Sequence, residues 1–102
     1  MIIRMFDTAL DPEDVEKAKG LFRDQVQPAF EGFVGCHGIE MFLGLEPHSG
    51  GLVDVAAISR WGSMSDIEKA FDSEDYQNAM SELKKLFAQA PIVRHFESLD
   101  WR

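Results

Sequence analysis

The chain predicts an α+β domain in the element order β-α-β-β-α-β, with a four-stranded antiparallel sheet and both helices on one face. Three observations predict it. Four short segments rich in Ile, Val, Phe and Met read as strands. Two longer segments between them carry apolar residues at spacings of three and four. Prolines, glycines and capping residues separate the pieces.

Ile2 to Thr8 is the first strand. Asp11-Pro12-Glu13-Asp14 starts the first helix. Asp11 can cap, Pro12 suits the first helical position, and the acids favour the positive end of the helix dipole. Val15, Ala18, Leu21, Phe22 and Val26 form the apolar stripe, and Pro28 is expected to close the helix. Val34 to Leu45 and Leu52 to Trp61 read as strands two and three, a hairpin joined by the Pro- and Gly-rich turn 46–51. Ser65-Asp66-Ile67-Glu68 fits a capping box, opening a short helix with Ile67, Ala70 and Phe71 inward. Asp72-Ser73 reads as a break with a fresh cap, after which Tyr76, Met80, Leu83 and Phe87 continue the stripe. Pro91 ends it, Ile92 to Leu99 is strand four, and Asp100-Trp101-Arg102 is a tail. Residues 1–102 thus read as one ferredoxin-like domain.

Composition bounds the function. A chain of 102 residues can bury roughly two-thirds of its unfolded surface, enough for one modest core. The net charge of −8 repels phosphate backbones and anionic lipid, so neither nucleic acid nor a membrane surface is an expected partner. No apolar run approaches the roughly 20 residues of a membrane helix, and Met1-Ile2-Ile3-Arg4 lacks the layout of a signal peptide. The single cysteine, Cys36, has no disulfide partner within the chain and reads as an apolar filler in a strand. A reducing cytoplasm is the expected location.

The strands alternate poorly. Ile2, Ile3, Met5 and Phe6 are apolar on both faces of strand one, and Leu52, Val53, Val55, Ala56, Ala57 and Ile58 on both faces of strand three. Two helices cover one face, and a second copy of the same sheet is the economical cover for the other. The expected assembly is a homodimer through the sheet faces; the alternative is a monomer whose tail or loop folds over the face, to which Trp101 could contribute.

The residues that could carry chemistry are few. Trp61 lies at a strand–helix junction, where its ring could wall a flat ligand and its N–H donate, or where it could simply anchor the core. By the two-residue period Ser59, Ala57, Val55 and Val53 share its face, while Arg60, Ile58, Ala56 and Asp54 face the other way. His95, in strand four, could move a proton as a general base; His37 in strand two is a weaker candidate, and His48 belongs to the solvated turn. Arg4, Glu40, Arg94 and Glu97 are charges in apolar strands. Arg4 is expected to pair with a carboxylate on a neighbouring strand, although any of these charges could instead meet an acidic substrate. The three histidines fall in separate elements with no ligand spacing, so no metal is expected, and no glycine-rich phosphate loop or nucleophilic triad is present.

Element order, the strand ending Ile58-Ser59-Arg60-Trp61, the helix Asp66-Ile67-Glu68-Lys69-Ala70-Phe71 and the segment Ser73-Glu74-Asp75-Tyr76 together resemble the dimeric α+β barrel superfamily, and within it the antibiotic biosynthesis monooxygenase (ABM) type of domain. The resemblance spans nearly the whole chain. It implies a cleft between sheet and helices in each protomer. It also implies a family whose members include cofactor-free oxygenases of aromatic polyketides, haem-degrading enzymes, isomerases and cyclases. The haem-degrading members carry an asparagine on strand one and a histidine on the helix after the tryptophan. Here those segments read Arg4-Met5-Phe6-Asp7 and Lys69-Ala70-Phe71-Asp72, so only Trp61 matches. Where cofactor-free oxygenases often place an asparagine on strand three, this chain has Ala57.

The expectation is therefore a cofactor-independent monooxygenase acting on a small aromatic or enolisable molecule, with no cofactor of its own. His95 and Trp61 would be catalytic, and Trp61, Ser59, Phe22 and Phe71 would bind substrate. The alternative is a non-catalytic small-molecule-binding or stress-related dimeric module, which a closed cavity packed by Phe22, Phe71 and Met80 would favour.

Overall fold

The computed structural model describes residues 1–99. Strands β1 (Ile2–Leu10), β2 (Cys36–Leu43), β3 (Val53–Trp61) and β4 (Ile92–Glu97) form one antiparallel sheet in the order β2-β3-β1-β4. With its helices between β1 and β2 and between β3 and β4, this is the expected ferredoxin-like arrangement. The tail 100–102, with Trp101, lies outside the described residues.

β1 is an inner strand. Its register sets Arg4 opposite Ser59 on one side and opposite His95 on the other. Directly paired residues share a sheet face, so these three project to the same side. Strand limits differ from expectation by a few residues. β2 begins at Cys36 instead of Val34, because Gly35, at φ 81°, turns the chain just before it. A Cβ at Gly35 would also collide with the Asp66 carboxylate, so the turn and the packing both require glycine.

The first helical segment runs past Pro28, contrary to expectation. It comprises a 3-10 turn (Pro12–Asp14), α1 (Val15–Leu21), a π turn (Phe22–Val26) and α2 (Gln27–Glu31). The Gln27 N–H reaches back five residues to the Phe22 C=O. The wider turn puts Pro28 near the start of a new α segment, where its fixed φ and missing N–H are tolerated.

α3 (Met64–Phe71) is capped by Ser63, two residues before the expected Ser65: the Asp66 N–H donates to Ser63 Oγ at 3.2 Å. The earlier cap follows from Gly62, whose N–H already bonds the Gly35 C=O at 2.9 Å and so turns the strand end there. α4 (Glu74–Met80) starts at the expected break, with the Tyr76 N–H donating to Ser73 Oγ at 3.2 Å. After a 3-10 turn (Leu83–Leu86) the chain returns along the end of β1. The Ala88 N–H donates to the Ala9 C=O and Thr8 Oγ1 donates to the Gln89 C=O, each at 2.8 Å.

The core lies between helices and sheet, built on Leu10, Ala18, Val26, Phe30, Trp61, Ile67 and Met80. Among the described residues the opposite face carries no helix. Ile3, Met5, Ala56 and Ile58 are half-buried along its centre, and Phe42, Ile92 and Phe96 are 44%, 53% and 45% exposed around them. No helix among the described residues is long and apolar enough to cross a membrane.

Candidate functional site

The sheet and helices do not close completely. Between them lies a narrow recess of about 40 Å³, lined among others by Phe22, Val26, Met41, Ala57, Ser59 and Met80. That is room for about three waters, or for one edge of a ligand. A wider, open groove of about 620 Å³ adjoins it, bounded by Lys84, Pro91, Val93 and the returning segment 87–90. Arg4, Phe6, Tyr76 and Phe87 line both and form the seam. Phe6 and Phe87 pack against each other, with ring centroids 5.4 Å apart.

Among the described residues Arg4 is the one charge that lines the recess. Its guanidinium lies 3.9 Å from the Phe71 ring centroid and 5.8 Å from that of Phe6. Burial pushes the Arg4 pKa down, against the pull of the nearby Tyr76 hydroxyl. Burial pushes the Tyr76 pKa up, partly offset by the nearby Arg4 charge. The expected partner of Arg4, a carboxylate on a neighbouring strand, is corrected. Among the described residues the contacts of the Arg4 guanidinium are with Phe71, Phe6 and Tyr76; Glu40 pairs with Arg60 at 3.2 Å and Asp54 with His48 at 3.3 Å. A guanidinium accepts aromatic faces because it is planar and weakly hydrated.

Of the residues singled out in the sequence, Phe22 and Ser59 line the recess. Phe71 stands behind Arg4 and supports it. Trp61 is fully buried, with its ring stacked near Phe33 at 6.3 Å and meeting Phe30 and Phe71 at 6.0 and 5.9 Å. Its Nε1–H donates to Ser59 Oγ at 2.8 Å, so it reaches the recess through that hydroxyl. His95 is exposed on β4, on Arg4's side of the sheet, and stands outside the lining. His37 is exposed on β2, and His48 is partly covered beside Asp54. Cys36 Sγ lies 3.8 Å from the Gly38 C=O, and burial pushes its thiol pKa up. Among the described residues no three His, Cys, Asp or Glu side chains gather where a metal could be held.

Sequence reasoning passed over Tyr76, Phe87 and Thr8 as site residues. Tyr76 and Phe87 were visible as members of a helical stripe. What brings Phe87 to Arg4 is the return of segment 87–90 along β1, and what brings Tyr76 there is tertiary packing of α4, neither of which a local pattern announces.

No protein-family model and no curated protein matches the chain. Solved structures do. A crystal structure of an antibiotic biosynthesis monooxygenase superposes with TM-score 0.75 at 14% identity, covering 98% of this chain and 100% of the other. A protein from Bordetella bronchiseptica named for the antibiotic biosynthesis monooxygenases gives TM-score 0.78 at 19% identity, covering 96% of each chain. One from Deinococcus radiodurans, named likewise, gives TM-score 0.78 at 15% identity, covering 100% of this chain and 96% of the other. Over nearly its whole length, then, this chain has the ferredoxin-like fold of structures named as antibiotic biosynthesis monooxygenases.

Proposed function

We propose that the protein takes a small aromatic or enolisable molecule into the recess and groove, oxygenates it without a cofactor, and works in the cytoplasm as a homodimer joined through the open sheet faces. The observation that carries this reading is an apolar recess between helices and sheet that opens, at Arg4 and Tyr76, onto a groove large enough for a small ring system. The names of the structural neighbours supply the reaction class. The reaction balances without a second reductant: an aromatic C–H beside a phenol, with O2, gives a quinone and water, the substrate supplying all four electrons. Such a reaction needs a proton removed from a phenol or enol. His95, opposite Arg4 on the neighbouring strand, is the proposed carrier of that proton. Phe22 and Ser59 are proposed to contact the substrate directly, Trp61 to hold Ser59, and Phe71 to hold Arg4.

The dimer rests on the uncovered face. Phe42, Ile92 and Phe96 around Ile3, Met5 and Ile58 make an apolar surface of a kind that soluble monomers rarely leave open. Light scattering should give twice the 11.5 kDa chain mass, and Ile58→Asp should halve it. A monomeric wild type rejects the dimer.

Oxygen uptake with 1,5-dihydroxynaphthalene tests the chemistry. Wild type should consume O2 and form the hydroxynaphthoquinone, and His95→Gln should slow turnover by about tenfold or more. An unchanged rate in His95→Gln rejects its role. A second reading, a non-catalytic binding module, is favoured by the narrowness of the recess and the position of His95 outside the lining. It predicts binding with no uptake above the background of autoxidation.

A further inference from the structure

We propose that the ligand is an aromatic monoanion, its ring in the groove and its anionic group on the Arg4 guanidinium at the seam with the recess. This inference rests on the small-molecule reading above and adds the charge of the ligand.

The charge distribution carries it. The chain holds 18 acids against 10 bases. Yet among the described residues the groove is lined by two bases, Arg4 and Lys84, and by no acid, and the recess by Arg4 and no acid. A groove of this sign in a protein of the opposite sign concentrates small anions locally, while the rest of the surface repels them. Among the described residues Arg4 itself is incompletely served. A guanidinium has five N–H donors, and a ring face satisfies its charge without accepting those hydrogens in the way an oxygen does. Phe71 and Phe6 are ring neighbours, and the Tyr76 hydroxyl is a single oxygen. A carboxylate presents two oxygens at the spacing of the guanidinium fork and would satisfy what the rings leave over.

The surroundings select the remainder of the ligand. Phe6, Phe87, Tyr76, Pro91 and Val93 offer apolar and aromatic surface beside Arg4. Lys84 Nζ stands 5.9 Å from the Tyr76 ring, at the outer side of the same groove. The recess, with about 40 Å³, admits only a substituent or a ring edge. A fully apolar ligand would desolvate Arg4 without satisfying the donors that the rings and Tyr76 leave over, and a cationic one would meet two like charges.

The test compares 1-naphthoate with 1-naphthamide, which has the same ring and nearly the same shape without the charge, by calorimetric titration at low salt. Wild type should prefer naphthoate at least tenfold, the lower end of what hydrogen bonds to a charged group contribute. Arg4→Met should abolish the preference while leaving naphthamide affinity within about threefold. Lys84→Ala, a change at an exposed side chain that leaves the core untouched, should weaken naphthoate alone by twofold or more. Equal affinities in wild type, or a preference that survives Arg4→Met, overturn the charge assignment while the small-molecule reading stands. Failure of both compounds to bind wild type overturns both. If Arg4→Met does not fold, the Lys84→Ala result decides: no effect on naphthoate counts against the proposal.

Discussion

Replacing Trp61 separates an anchoring role from a direct one. The side chain is fully buried, packs against Phe30, Phe33 and Phe71, and donates to Ser59 Oγ at 2.8 Å. Truncation of a buried aromatic to alanine costs about 3–5 kcal/mol. A domain of this size has about 5–15 kcal/mol in hand. At about 4–8 °C per kcal/mol, Trp61→Ala should lower Tm by roughly 12–40 °C. Trp61→Phe keeps most of the ring packing but removes the donor to Ser59 and leaves a gap, so it should lose about 2–3 kcal/mol. Thermal and urea unfolding followed by circular dichroism measure both. The folded fraction of Trp61→Phe should still bind 1-naphthoate within about fivefold of wild type, because the indole acts on the recess through one hydroxyl. A Trp61→Ala variant melting within 5 °C of wild type would refute the anchoring argument. A stable Trp61→Phe that no longer binds would show that the ring contacts ligand directly.

The remaining predictions are local. Gly35→Ala forces a Cβ onto a residue at φ 81° and against the Asp66 carboxylate, so it should cost at least about 1–2 kcal/mol in urea unfolding; a neutral effect contradicts the turn geometry. Ser73→Ala removes the cap of α4 and should cost about 1 kcal/mol, with increased hydrogen exchange at Tyr76 as the local signature. Because burial raises the Cys36 pKa, its thiolate fraction at pH 8 is below that of a free cysteine. Iodoacetamide should therefore alkylate Cys36 more slowly than free cysteine, and the rate should climb over a higher pH range. Alkylation at the free-cysteine rate contradicts the burial.

What was legible in the sequence is what short-range physics writes. The two-residue period of β3 assigned Val55, Ser59 and Trp61 to the buried face and Asp54 and Arg60 to the exposed one. The Asp72-Ser73 break was visible because a cap is a bond between residues three apart. The same kind of signal misplaced the α3 cap, since Ser63 and Ser65 are both plausible by spacing and the choice is made by the Gly62–Gly35 bond. Pro28 misled because a proline in isolation breaks a helix, whereas the π turn before it supplies a tolerant position. The site was the least legible part. Arg4 was visible as a charge in an apolar strand, but its companions come from α3 and α4, far along the chain. Sequence spacing carries no record of a guanidinium meeting a ring through tertiary packing.

The most direct test of the account is a ¹H–¹⁵N and methyl NMR titration of the wild-type protein with 1-naphthoate. The account predicts saturable shifts centred on Arg4, Tyr76, Met80, Leu83 and Phe87, around the seam of recess and groove. Shifts centred instead on Phe42, Ile58 and Phe96 of the open sheet face, or no saturable shifts at all, would contradict it.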